Sequence, residues 1–359
     1  MTALVESPLQ LLCAVEAHAA GHAGPRTHVL ARADVPALTA GIDAVRALGL
    51  PAGLDVEPAP APRRLPDGTV VVGDPFSGAF QAALLRAPRP PERLVVVDDG
   101  LATLDLARRV LTGTPLVRLT APPDPLRHGL GALAARRLRR LVAAGRLTLS
   151  TTMPLDDGVL AGLRELGVDV RPQDFAWLRS RPQRNAPDEA TVVVGSALVA
   201  DGLVHADRYA AWVRGIAADG PVRYVPHRRH DPLVSALLEQ LPGVTVDEPG
   251  APVEIRLRGL RPGQRTVMLP STSAVTLSRL LAPRGVVVAP HAVPDAWWTD
   301  RATPELRRHL GRTHALATRA AAESAAAPVA GTPGAYATPG SAGGDRPRGV
   351  PSSTVASPA

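Results

Sequence analysis

The sequence predicts an α/β protein of two Rossmann-like halves, each a parallel sheet with helices on both faces, facing one another across a central cleft. Three observations predict it. Continuous apolar runs such as Leu94-Val95-Val96-Val97 read as strands covered on both faces, as in parallel sheets. Strand-like runs alternate with helix-like ones, which is the signature of βαβ units. Residues 180–190 (SRPQRNAPDEA) are polar and aperiodic with two prolines, and after them the alternation begins again. At 359 residues the chain has room for about two domains. The expected division is 1–182, 183–320, and an Ala/Pro/Gly/Ser-rich extension over 321–359 that buries too little apolar surface to order itself.

In chain order, Thr2 to Glu6 reads as a strand, and Leu9 to His18 as a helix opened by Ser7-Pro8, a cap followed by proline in the first turn. Thr27 to Ala31 is a second strand, with a helical segment through Val45. Thr69 to Val72 runs into Gly73-Asp74-Pro75, then a helix from about Ser77. The strand at 94–97 stops at Asp98-Asp99-Gly100 and is followed by a helix through Leu111. Beyond the polar stretch, strand Thr191 to Val194 ends at Gly195-Ser196, and a helix covers Tyr209 to Ala217. Strand Val222 to Val225 enters Pro226-His227-Arg228-Arg229. Val244 to Val246, Thr266 to Leu269 before Pro270-Ser271-Thr272-Ser273, and Val286 to Ala289 complete the second unit.

Hydrophobic residues are 45% of the chain and aromatics 3%, so Leu, Val and Ala must fill the core. The net charge is +7, and all 40 basic residues are arginine. Such a composition resembles that of proteins from GC-rich bacterial genomes. The densest basic patch, Arg136-Arg137-Leu138-Arg139-Arg140, lies on a helical pattern. It reads either as a solvated face or as a contact for anionic glycan, nucleotide or membrane lipid. Nucleic acid is disfavoured, because no aromatic residues interleave with the arginines to stack on bases. Cys13 is the single cysteine, which excludes an intramolecular disulfide and a thiolate zinc cluster, and it reads as a core residue. The N-terminal run carries Glu6 and lacks a basic flank, and no apolar run reaches membrane-spanning length. The expected location is the cytoplasm, with association at the inner membrane face through the arginine helix.

Candidate site residues fall at strand ends, the edge where open α/β sheets bind ligands. Asp98-Asp99-Gly100 places two carboxylates there. A second Asp-Asp-Gly at 156–158 follows Pro154-Leu155 and opens a helical pattern, so it reads as a helix cap. An Asp-Asp-Gly turn is also a common Asx structure, and Pro-Ser-Thr-Ser is as readily a capping sequence as a phosphate site. A helix N-terminus binds anions in either case. Gly195-Ser196 would let backbone approach a nucleotide. Ser7, Gln10 and Asp74 end strands on the first half's edge, where an acceptor would lie. Trp297-Trp298 reads as packing. With no G-x-G-x-x-G and no G-x-x-x-x-G-K-[ST], dinucleotide-dependent dehydrogenases and P-loop enzymes are disfavoured.

In the order of its motifs the chain resembles bacterial sialyltransferases and polysialyltransferases of glycosyltransferase family 52 and its relatives. The motifs are an acidic pair before glycine in the first half (Asp98-Asp99-Gly100), a histidine (His227) and a serine motif (Ser271, Ser273) in the second, and an opening VESPLQLLCAVEA. The resemblance spans roughly residues 1–315 through four short segments. It implies the GT-B fold, a CMP-sialic acid donor and inverting transfer of sialic acid, or a related nonulosonic acid, to a glycan. It further implies that Asp98 is the general base with Asp99 the competing assignment, that His227 serves the departing CMP phosphate, and that Ser271 and Ser273 hold it. The family's histidine precedes a proline, whereas here the order is Pro226-His227-Arg228, although Arg228 suits a phosphate.

The chemistry fits such a set. Sialyl transfer needs one carboxylate to direct the attacking hydroxyl and donors to neutralise the leaving phosphate. Histidine, serines and arginines suffice as donors, so neither cofactor nor metal is expected. The competing expectations are another GT-B nucleotide-sugar enzyme (a UDP-sugar transferase or 2-epimerase), a non-catalytic binding protein for capsule assembly, and Mg²⁺ held by Asp98 and Asp99.

Overall fold

The valine runs become strands because β-branched side chains pack well on a pleated surface closed on both faces. The computed structural model describes residues 1–118, 124–183 and 186–326. Its first sheet has seven parallel strands, β1 (Thr2–Val5), β2 (Thr27–Arg32), β3 (Leu54–Ala59), β4 (Thr69–Val72), β5 (Arg93–Val97), β6 (Leu147–Thr151) and β7 (Asp169–Pro172), in the order β3-β2-β1-β4-β5-β6-β7. The second has five, β8 (Thr191–Val194), β9 (Val222–Val225), β10 (Val244–Val246), β11 (Arg265–Met268) and β12 (Val287–Pro290), in the order β10-β9-β8-β11-β12, again all parallel.

Helices α1 (Pro8–Ala19), α2 (Pro36–Ala47), α3 (Gly78–Arg86), α4 (Ala102–Thr112), α5 (Pro125–Ala143), α6 (Asp157–Glu165) and α7 (Ala176–Ser180) belong to the first half. Helices α8 (Ala197–Ala200), α9 (Ala206–Ala217), α10 (Pro232–Glu239), α11 (Val253–Leu257), α12 (Thr272–Leu281) and α13 (Pro304–Ala326) belong to the second. This is the expected α/β architecture of two parallel sheets.

Both strand orders reverse direction once, between β1 and β4 in the first sheet and between β8 and β11 in the second. Such reversals open a crevice at the C-terminal strand ends, because the flanking connections leave on opposite faces. Residues 6–10 and 73–74 line the first crevice, and 195–196 and 270–273 the second. The strand that orders the first crevice is β5, whose Leu94, Val95, Val96 and Val97 are at most 1% exposed. Val95 and Val97 join a cluster with Leu11 and Leu12 of α1, whereas Leu94 and Val96 join one with Phe80, Leu84 and Leu138 of α3 and α5. Each such side chain contributes roughly 1.5–3 kcal/mol by burial. The first of these clusters continues into the second half through Val192, Val194, Leu277 and Leu280, so one apolar core runs through both sheets.

Three strands escape the sequence pattern. β3 and β7 are edge strands that contain prolines, and β6 (LTLST) is buried along its whole length yet half polar. Its hydroxyls are used by neighbours, since Thr148 accepts from Arg93 Nε (2.9 Å) and Thr151 donates to Asp98. The boundary expected at 321 falls inside α13, which runs to Ala326 with Ser324 buried and Ala317 and Ala320 in the core. The rest of that extension lies outside the described residues. Asp156 stands at the N-cap of α6, but its side chain makes no cap bond. It faces Arg319 (3.5 Å) and Arg108 (3.7 Å), so the expected cap is an ion-pair site.

Candidate active site

The first half builds its side of the site around Asp99. Ser7 caps α1, its hydroxyl accepting from the Gln10 amide (3.3 Å), and this turn carries Gln10 to the β1–β4 crevice. The Gln10 side chain is 2% exposed. Its Oε1 accepts from the Glu6 amide (2.7 Å), which fixes the amide orientation, and its Nε2 then donates to Asp99 Oδ1 (2.7 Å). Gly73 makes room for it, because a Cβ at 73 would collide with the Gln10 side chain. The other carboxylate oxygen, Oδ2, accepts from Arg118 (2.8 Å), whose same nitrogen donates to Asp74 Oδ2 (2.7 Å). Asp74 also accepts from the Phe76 amide (2.9 Å), which ends β4 in a tight turn. Burial and the Asp74 carboxylate push the Asp99 carboxyl above the ordinary carboxylate range, with Gln10 and Arg118 opposing them.

Asp98 points the other way, as the next residue of a strand does. It is 0% exposed and accepts from Thr151 Oγ1 (2.5 Å), the Thr152 amide (2.5 Å) and Thr152 Oγ1 (2.9 Å). The expectation that Asp98 is the base is therefore corrected on access. Its carboxylate ties β5 to the end of β6 and has no face on the cleft, whereas Asp99 lines the cleft.

The second half supplies donors. Ser271 stands at the N-cap of α12 in extended backbone, and its hydroxyl makes no cap bond. The first amides of α12 and the Ser271 and Ser273 hydroxyls thus line the cleft together. Thr272 Oγ1 accepts from the Leu101 amide (3.3 Å), a link between the halves at the Asp-Asp-Gly turn. Gly100 is required there twice over, by its φ of +65° and because a Cβ would strike the Thr272 side chain. His227 follows β9 and lines the same cleft. Its Nδ1 accepts from the Arg229 amide (3.1 Å), which leaves the proton on Nε2. Burial, with Arg228 and Arg229 nearby, lowers its pKa to about 4, so at neutral pH it is an uncharged Nε2–H donor.

Gly195 is the close-approach point between β8 and β9, since a Cβ there would lie 2.7 Å from the His227 amide nitrogen. Ser196 spends its hydroxyl as the N-cap of α8, accepting from the Leu198 amide (3.2 Å). Arg228 is exposed at the cleft, and the Asp99 charge acts on it from the opposite half. Arg229, beside it, pairs with Asp201 (3.2 Å).

The cleft measures about 700 Å³ and brings together Ser7, Asp99, Gly195, Ser196, His227, Arg228, Ser271 and Ser273. Of the residues singled out in the sequence, Asp98, Gln10 and Asp74 do not line it. The latter two act on Asp99, directly or through Arg118. Two participants carry no sequence signal. Arg118 lies in an aperiodic stretch, and Glu254 stands in none of the motifs that end the strands. Glu254 lines the cleft from the second half, buried, with Oε1 accepting from Thr276 Oγ1 (2.5 Å), and burial raises its pKa. Trp298 is buried, and Trp297 packs edge-on against Trp212 at 5.9 Å, so that pair serves packing as expected. Among the described residues no three His, Cys, Asp or Glu side chains gather as a metal site. Between Asp74 and Asp99, where two carboxylates would draw a cation, the Arg118 guanidinium already sits.

No protein-family model and no curated protein matches this chain. Solved structures resemble it. Phytolacca americana UGT2 complexed with UDP-2-fluoro-glucose and pterostilbene aligns at TM-score 0.46 and 12% identity, over 90% of this chain and 94% of that one. A Polygonum tinctorium UDP-glucosyltransferase that glucosylates indoxyl aligns at TM-score 0.45 and 12% identity over the same shares. Acinetobacter baumannii MurG aligns at TM-score 0.32 and 11% identity, also over 90% and 94%.

Proposed function

We propose that the protein is an inverting glycosyltransferase of the GT-B type that moves a sialic or related nonulosonic acid from a CMP donor to a glycan hydroxyl. The observation that carries this reading is one carboxylate, Asp99, held on both oxygens across a cleft from three kinds of phosphate donor: the α12 N-terminus, the neutral His227 Nε2–H and the Arg228 guanidinium. In the reaction the acceptor hydroxyl gives its proton to Asp99 as its oxygen bonds the anomeric carbon. The bond from that carbon to the phosphate oxygen breaks with its electron pair moving to the phosphate. His227, Arg228 and the helix amides stabilise the charge that develops there. The arginines and the helix end do what a divalent ion would otherwise do, so activity is expected without metal or cofactor.

The competing reading is a UDP-sugar donor, because the buried Glu254 carboxylate on the second half's side of the cleft would accept from the ribose hydroxyls of either nucleotide. Two measurements separate the readings. Calorimetric titration with CMP and with UDP is expected to show preference for CMP. Nucleotide release from CMP-sialic acid over an acceptor panel is expected to persist in EDTA. Preference for UDP with turnover of UDP-sugars alone would replace the first reading with the second, and no turnover of either donor would leave a binding protein.

A further inference from the structure

Helix α5 carries an exposed stripe of leucines and arginines, outside the cleft. Gly131, Ala134, Ala135, Leu138, Leu141 and Val142 face the sheet and are buried. On the opposite side Leu126, Gly129, Leu133, Arg136 and Arg140 form a stripe at helical spacing, all exposed, with Leu126 at 86% and Leu133 at 51%. No acid occurs between Pro125 and Ala143. Arg137 turns back to donate to the Ala87 carbonyl (3.0 Å), which brings the exposed Arg86 and Arg89 of the α3–β5 turn beside the helix. Among the described residues, Arg86, Arg89, Arg136, Arg139 and Arg140 make no ion pair, although the protein pairs many of its other arginines.

We propose that this face of α5, with the α3–β5 turn, docks on an anionic lipid bilayer. Exposed leucines in line with unpaired arginines, on a helix of low overall hydrophobicity, are the physical pattern of an interfacial helix. The leucines enter the headgroup boundary, and the guanidinium groups meet lipid phosphates bidentately. A soluble acidic partner would satisfy the arginines but would leave Leu126 without reason to face water.

The fold also orients the dock. Because α5 enters β6 through the short turn Ala144–Arg146, its arginine end lies at the N-terminal edge of the sheet. Its Leu126 end lies toward the C-terminal edge, the edge of Asp74 and Asp99. On the transferase reading, and only on it, the acceptor side of the cleft then opens along the membrane plane, beside the surface where an acceptor anchored in lipid would present its hydroxyl.

Co-sedimentation of the full chain with vesicles tests the docking without any donor or acceptor. Binding is expected to phosphatidylglycerol–phosphatidylcholine vesicles, to weaken steeply with salt, and to be absent for phosphatidylcholine alone. Arg136→Gln/Arg139→Gln/Arg140→Gln should lower partitioning at least tenfold, and Leu126→Ser/Leu133→Ser should lower it several-fold, with unchanged circular dichroism and melting. Equal binding by wild type and the arginine variant, equal binding to neutral vesicles, or no binding to anionic vesicles would overturn the proposal. Nucleotide release in solution by the same variants separates this outcome from failure of the transferase reading, because these residues touch nothing in the cleft.

Discussion

Two adjacent aspartates at the end of β5 face opposite ways, Asp98 into the protein and Asp99 onto the cleft, because a strand alternates its side chains. Asp98→Asn should cost about 2–4 kcal/mol of stability, since an amide presents donors to the Thr151 and Thr152 donors and leaves one of them unmet in a buried site. Asp99→Asn keeps the shape and should fold normally. Denaturation curves of both variants check this, and a larger loss for Asp99→Asn would contradict the assignment. Gln10 acts on Asp99 through a single hydrogen bond, so Gln10→Glu replaces a donor to the carboxylate with a like charge. The acid limb of the pH–rate profile should move to higher pH, because Asp99 then gives up its proton less readily; an unmoved limb would show that the contact does not reach the chemistry. His227→Gln, which keeps a donor near the Nε2 position, should hold CMP more tightly than His227→Ala. The motif Asp-Asp-Gly was readable in the sequence, but which aspartate faces the cleft was not, because that depends on Thr151 and Thr152 some fifty residues away. Arg118 had no signal at all, since its partners converge only when β4 and β5 pair.

At the scale of elements, the strands that the sequence showed are those buried on both faces with β-branched residues. Those it hid are the edge strands β3 and β7 and the hydroxyl-rich β6, whose polar residues are satisfied by neighbours rather than by water. Helix α12 was legible as a capped helix, and the structure leaves its N-cap hydroxyl unspent. Ser271→Ala/Ser273→Ala should therefore reduce CMP affinity, by about two to four orders of magnitude if both hydroxyls bond the phosphate, since each such bond is worth ~1.5–3 kcal/mol. Unchanged CMP binding with a lowered melting point would make them structural. Helix α7 depends on a partner that no local pattern announces. Glu16 of α1 accepts from the Trp177 (3.0 Å) and Leu178 (2.8 Å) amides, and burial raises its pKa from 4.5 to about 7. Between those values the folded protein holds a proton that the unfolded chain releases. The stabilisation is complete below pH 4.5 and is lost as pH rises through 7. Relative to Glu16→Gln, wild type should lose stability between pH 5 and pH 8 in urea titrations. A difference that does not change with pH would contradict it.

Across the whole molecule, the alternation of strands and helices and its restart after the polar stretch were enough to read two parallel sheets. The facing of their two crevices is a property of the assembled chain. One apolar core joins the sheets, and the Gly100–Thr272 contact brings the acidic turn against the N-terminus of α12. The C-terminal helix was underestimated because its alanines look like linker until they pack on α12. The central claim is that Asp99 takes the acceptor's proton while the second half holds a nucleotide monophosphate. CMP titration and CMP-sialic acid turnover, measured side by side on wild type and Asp99→Asn in EDTA, test it most directly. The account predicts CMP affinity within about threefold of wild type, ~0.7 kcal/mol, with turnover lower by ~10²–10⁴. Turnover equal to wild type in Asp99→Asn, with CMP still bound, would contradict it.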